Sequence, residues 1–176
     1  MIADMPVVSN AGPLVVLSKL NLLYLLKELY GRVHISRSVY DEVVIAGMRQ
    51  GYEDARTLCF FLEQMEWRPK DLEPTLIPAA LREAHLDRGE RDTLALAMTF
   101  GDALVLMDEA LGREIARAQG LTVRGSPGVL IEAYRRDMIR SGQLRLYFAT
   151  IARRRDIWIN QALVERLLHK VLEDQF

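Results

Sequence analysis

Residues 103–107, Ala-Leu-Val-Leu-Met, are apolar without a break and stand between Gly101 and Asp108. A run this short and uniformly apolar suits a strand buried on both faces, the situation of a parallel sheet. Other short runs recur with it. Met5-Pro-Val-Val-Ser9 ends at Asn10, Gly12 and Pro13, which reads as a strand entering a tight turn; Arg32-Val-His-Ile35 and Leu121-Thr-Val123 read as strands as well. Helical spacing fills the intervals. Asn21 is placed to cap a helix over 22–30 that Gly31 stops, and Ser36 to cap one carrying Val39, Val43 and Val44. A helix over 52–64 would bury Cys59, Phe60 and Leu62, and Trp67, Pro69, Pro74 and Pro78 mark a strand and an irregular connection. Helices over 90–100 and 109–119 end at Gly101 and Gly120, and Gly125-Ser-Pro-Gly128 opens another with Pro127 in a permissive early position. This alternation predicts an α/β fold of three layers, α/β/α, around a parallel sheet of about five strands. Beyond residue 140 only helices are expected, one before Arg153 and one capped by Asn160. The expectation is one domain over 1–176 with a helical extension over about 140–176.

Composition narrows the class. The 176 residues are 50% hydrophobic and 27% charged, enough for one sizeable core and unlike disordered or low-complexity chains. The longest apolar stretch, residues 14–26, is interrupted by Ser18, Lys19 and Asn21 and falls short of the roughly 20 residues of a membrane span. The first basic residue is Lys19, so a secretory signal is not expected. A single cysteine, Cys59, excludes an internal disulfide and a cysteine-based zinc site and suits a reducing cytoplasm. Leucine-rich helices at both ends make a symmetric homodimer the expected assembly.

Charge is segregated along the chain. Residues 41–92 hold twelve acids against seven bases, a net of −5; residues 113–155 hold ten arginines against three acids, a net of +7. The plain explanation is a solvated helix surface; the sharper one is a basic flank beside an acidic site, built from the residue best suited to bidentate phosphate contacts.

In parallel α/β sheets binding groups collect at the carboxyl ends of the strands. Asn10 ends the first strand and Asp108 ends the 103–107 run; Glu90 follows Gly89 at a helix start, and Glu42 lies one turn into a helix. Four oxygen donors without His or Cys suit a hard cation, Mg²⁺ or Mn²⁺. Each residue also has an ordinary explanation. Glu90 suits a helix N-terminus, Asp108 an N-cap, Asn10 a turn and Glu42 a solvated helix face.

Four segments carry a family resemblance. Val7-Val-Ser-Asn-Ala-Gly-Pro-Leu14 resembles the opening strand and turn of PIN domains, and Ser38-Val-Tyr-Asp-Glu-Val43 resembles their V-Y-x-E-V helix. Asp87-Arg-Gly-Glu-Arg-Asp-Thr-Leu-Ala-Leu-Ala97 and Leu104-Val-Leu-Met-Asp-Glu-Ala-Leu-Gly-Arg113 are similar to the segments carrying the third and fourth acids. Residues 125–130 and the later helices resemble a poorly characterised prokaryotic branch of the family, akin to toxin-type ribonucleases of toxin–antitoxin systems. The resemblance implies a metal-dependent endoribonuclease. It places catalytic roles on Glu42, Glu90 and Asp108 and metal ligation on Asn10, Glu42, Glu90 and Asp108, with Asp92 and Glu109 as alternates. Glu109 also stands four residues before Arg113, the spacing of a helical ion pair. Arg113, Arg117, Arg124 and Ser126 are the expected nucleic-acid contacts, Mg²⁺ or Mn²⁺ the cofactor, single-stranded or looped RNA the substrate, and an antitoxin protein a further partner. Asn10 departs from the pattern, which usually has Asp there, and Gly12 replaces the common Ser or Thr. The alternative function is therefore a catalytically silent nucleic-acid-binding or regulatory module.

Overall fold

The computed structural model describes residues 5–173; the ends expected to complete the 1–176 domain, 1–4 and 174–176, lie outside the described residues. The chain divides into two compact units, 1–124 and 125–176.

The first unit is built on a parallel sheet of three strands, β1 (Val7–Ser9), β2 (Leu104–Leu106) and β3 (Thr122–Arg124), in the order β1-β2-β3. Val7 pairs with Leu104 and Ser9 with Leu106; Leu104 pairs with Thr122 and Leu106 with Arg124. The sheet is narrower than the five strands expected. The segments around residues 34 and 70 join it only through single parallel bridges, Val8 with His34 and Ser36 with Lys70. Local chemistry cuts these two short. Ser36 leaves its strand at once to cap a helix, its hydroxyl accepting from the Val39 N–H at 3.3 Å, and Pro69 has no N–H to give a ladder. Both faces of the sheet are buried. Val8, Val105 and Met107 pack with Leu81, Leu94, Ala97 and Leu121 on one side, while Val7, Leu104 and Leu106 on the other are also enclosed.

Helices α1 (Ala11–Lys19), α2 (Tyr24–Tyr30), α3 (Arg37–Tyr40), α4 (Gly47–Arg49), α5 (Glu53–Gln64), α6 (Ala79–Glu83), α7 (Arg88–Thr99) and α8 (Ala110–Ala118) complete this unit. A π-helical turn, Asp41–Ala46, joins α3 to α4 without a break. Three local expectations change. Asn21 does not cap α2; at φ 58° it closes α1, its N–H reaching Ser18 O at 3.0 Å and the Leu22 N–H reaching Leu17 O at 2.8 Å. Residues 11–13 form the first turn of α1 instead of a tight turn, with Asn10 just before it. Phe60 is 69% exposed and Cys59 only half-buried, because the buried stripe of α5 runs through Ala55, Leu58 and Leu62.

Among its described residues the second unit holds only helices and their connections: α9 (Ser126–Arg135), α10 (Ser141–Arg153) and α11 (Gln161–Glu173). Leu144, Phe148, Ile151 and Val164 are buried within it. Among the described residues no helix is long and apolar enough to cross a membrane.

Candidate active site

Parallel strands end on the same edge of a sheet, so Asn10, straight after β1, and Asp108, two residues beyond β2, come to one edge. The backbone locks them there: the Asn10 N–H donates to Leu106 O at 2.9 Å, and the Met107 N–H to Arg124 O at 2.9 Å. Asn10 is buried. Its amide Nδ2 donates to Glu109 Oε2 at 3.2 Å, and its Oδ1 accepts from the Thr93 hydroxyl at 3.4 Å.

Two glycines leave room for the acids. At Gly12 a Cβ would stand 3.1 Å from Asp108 Oδ2 and 3.3 Å from Glu109 Oε1. At Gly89 a Cβ would stand 3.0 Å from Glu42 Oε2, 3.4 Å from Asp87 Oδ1 and 3.5 Å from Asn10 Oδ1. Oxygens from β1, the π-turn and the start of α7 thus face one point, and the Asn10–Glu109 hydrogen bond ties that group to the β2 end. A cleft of about 330 Å³ opens beside it, lined by Ser38, Asp41, Glu42, Asp87, Arg88 and Gly89.

Glu90 is held by a capping box. The Glu90 N–H donates to Asp87 Oδ1 at 2.7 Å, and the Asp87 N–H donates to Glu90 Oε2 at 3.0 Å. The ordinary helix-start role and membership of the acidic group therefore coincide in one side chain. Burial pushes the Glu42 carboxyl above its usual range, and Asp87, Glu109 and Glu90 push it further. Glu90 is also raised, by burial first and by Asp87 and Glu109, against the lowering effect of its bond from the Asp87 backbone.

The alternates separate. Glu109 joins the group through Asn10 and does not pair with Arg113 among the described residues. Asp92 is engaged by Arg91 at 2.9 Å and by Arg88 at 3.7 Å. Of the expected nucleic-acid contacts, Arg113 lies near enough to Asp108 to feel its charge, although burial and Arg117 lower its pKa overall. Arg124 donates to the Tyr30 hydroxyl at 3.1 Å, and Ser126 is fully buried at the start of α9 in the second unit. Asp87 and Thr93 had not been expected here. The signal for Asp87 was present in Asp87-Arg-Gly-Glu90, the spacing of a capping box, and Thr93 follows one turn later on the same helix.

Among the described residues, no three His, Cys, Asp or Glu side chains stand ready-made as a metal site. The donors nonetheless fit a hard cation in kind. They are oxygens, they crowd two positions with no Cβ, and burial with neighbouring acids holds Glu42 and Glu90 above their usual range, a strain that a divalent cation relieves.

A family model described as a PIN domain matches residues 6–173, across both units, and the chain belongs to the PIN-domain family. The family fold is of nuclease type. No curated protein and no solved structure matches the chain.

Proposed function

We propose that this protein is a Mg²⁺- or Mn²⁺-dependent endoribonuclease of the toxin-like kind. The observation that supports it most is the meeting of Glu42, Asp87 and Asn10 oxygens at Gly89, linked through Glu109 to Asp108 at Gly12. Glu42, Glu90, Asp108 and the Asn10 carbonyl oxygen would hold the cation, with Glu109 and Asp87 beside them. A bound divalent ion supplies an activated water and neutralises charge developing on the scissile phosphate. The chain's own residues do the rest. Asn10, fixed by Thr93 and Glu109, keeps its oxygen turned inward, and the capping box prevents Glu90 from swinging away. Arg113, close enough to feel the charge of Asp108, and Arg117 one turn further along α8 would draw in a phosphate backbone without reading bases. An antitoxin protein and a second copy of the chain are the partners this reading expects.

The second reading, a silent RNA-binding module, has its own support. The Asn10 amide is spent on Glu109, and Glu90 commits Oε2 to the backbone. One experiment separates the two: a mixed RNA panel incubated with Mn²⁺, Mg²⁺ or EDTA, beside Glu42→Gln and Asp108→Asn. Metal-dependent cleavage that both variants lose supports the nuclease. Binding without cleavage in any metal favours the silent module.

A further inference from the structure

Trp158 lies in the connection between α10 and α11 and is 91% exposed, the largest side chain in the molecule to be so open. An indole left in water calls for an explanation, since tryptophan gains more than any other residue from contact area. Mobility does not supply it, because the connection is pinned on both sides. Before Trp158, the Arg154 guanidinium donates to both Asp156 oxygens, at 2.9 and 2.7 Å, and Ile157 is buried with its N–H on Arg154 O at 3.4 Å. After it, the Asn160 side chain accepts from the Leu163 N–H at 3.0 Å and fixes the start of α11. Ile157 is anchored inward while the next side chain, Trp158, stands outward. The indole is therefore presented by its surroundings.

The segment leading to it is arginine-rich, and its one nearby carboxylate, Asp156, is engaged by Arg154. From Met138 to Arg155 the chain carries Arg140, Arg145, Arg153, Arg154 and Arg155 and no carboxylate. Arg154 is used on Asp156, while among the described residues Arg153 and Arg155 form no ion pair and both are exposed. A pre-positioned aromatic face three residues after the exposed Arg155, at the end of an arginine-rich segment, matches single-stranded nucleic acid: a base stacks on the ring and neighbouring phosphates meet the guanidinium groups. Duplex RNA, whose bases are already stacked, offers the indole no such face.

We propose that Trp158, with Arg153 and Arg155, forms a stacking platform for single-stranded RNA in the helical unit. The proposal rests on RNA being the substrate class of this protein, and binding and cleavage are therefore read separately. The chain has two tryptophans, and the other, Trp67, is 5% exposed and packs edge-on against Phe61, so quenchable emission reports on Trp158. With EDTA present to prevent cutting, oligouridine titrated into the full chain quenches that emission. Trp158→Ala weakens oligouridine binding roughly tenfold, and Trp158→Phe keeps most of it. Arg153→Gln with Arg155→Gln lowers the salt slope of binding by about 1.4, near 0.7 per phosphate contact on a single strand. Thermal melting of each variant matches the parent, because the altered side chains are exposed. Unchanged affinity in Trp158→Ala, or equal quenching by duplex RNA, overturns the platform. So does quenching that follows protein concentration or anionic vesicles in place of RNA. Cleavage with Mn²⁺ is followed in parallel. Quenching without cleavage removes the nuclease reading and leaves the platform standing; cleavage with unchanged affinity in Trp158→Ala does the reverse.

Discussion

Asn10 is one atom away from the aspartate usual in its family, and that atom has a partner. Its NH₂ group donates to Glu109, so a carboxylate in its place would set two negative groups about 3.2 Å apart. Asn10→Asp is therefore expected to lower the melting temperature in EDTA and to tighten Mn²⁺ binding, since hard-cation affinity rises with anionic ligands. Calorimetric titration beside a melting curve checks both; equal Mn²⁺ affinity in parent and variant places this side chain outside the metal shell. Glu42 and Glu90 make a second case. Both carboxyls are held above their ordinary value in the fold, so the folded chain keeps its protons to higher pH than the unfolded one. Stability from this source is full below about pH 4.5 and is lost as pH rises through the raised values. In EDTA, urea midpoints of the parent and Glu42→Gln should agree at acid pH and separate above it, with the variant the more stable. A constant gap across the range would mean that this carboxyl is not strained in the fold.

At the scale of elements, Gly89 sets stability against function. It lies in the first turn of α7, where alanine is favoured by up to about 1 kcal/mol, yet a Cβ there would press on Glu42 Oε2 at 3.0 Å. Gly89→Ala should leave the melting temperature unchanged or raised while weakening Mn²⁺ binding and cleavage. Intact cleavage would show that the carboxylate yields at no cost. The start of α7 was expected at Glu90 and lies at Arg88, although its capping box, Asp87 with Glu90 three residues on, is local chemistry that stood in the sequence. Residues 103–107 were legible because nothing but a buried strand suits five apolar residues between a glycine and an acid. Other features depend on partners remote in sequence. Phe60 was expected inside from apolarity alone, and its outward placement follows from which stripe of α5 meets α1. The outer two sheet segments have strand-like composition, but their pairing ends after one bridge because of what Ser36 and Pro69 do next. Of the site, Asn10, Glu42, Glu90 and Asp108 could be read from strand ends and family likeness; the Asn10–Glu109 bond could not, spanning 99 positions of sequence.

At the scale of the whole molecule, acid and arginine occupy different parts of the chain. The acids gather in the unit ending at Arg124, and most of the arginine-rich stretch follows in the helical unit. A cation bound only by the folded chain stabilises it by mass action, about 2.7 kcal/mol at a hundredfold excess over Kd. Mn²⁺ should thus raise the melting temperature of the parent, and the double variant Glu42→Gln, Asp108→Asn should lose the rise. A rise that survives in the double variant would locate the cation elsewhere. The helix that carries Glu42 has a further property. Between Arg37 and Arg49 it runs α, then π, then α, and the wider middle turn retards its rotation. Ser38 before that turn and Glu42 at its start line the cleft; after it, Gly47 lies so close to Ala55 of α5 that a Cβ would stand 2.7 Å from the Ala55 Cβ. A uniform spiral has one phase and cannot satisfy both neighbours. The π-turn works as a vernier between them, so deleting one residue from 43–46 should restore an even spiral and detune either the acid or the packing, whichever end the fold lets slip.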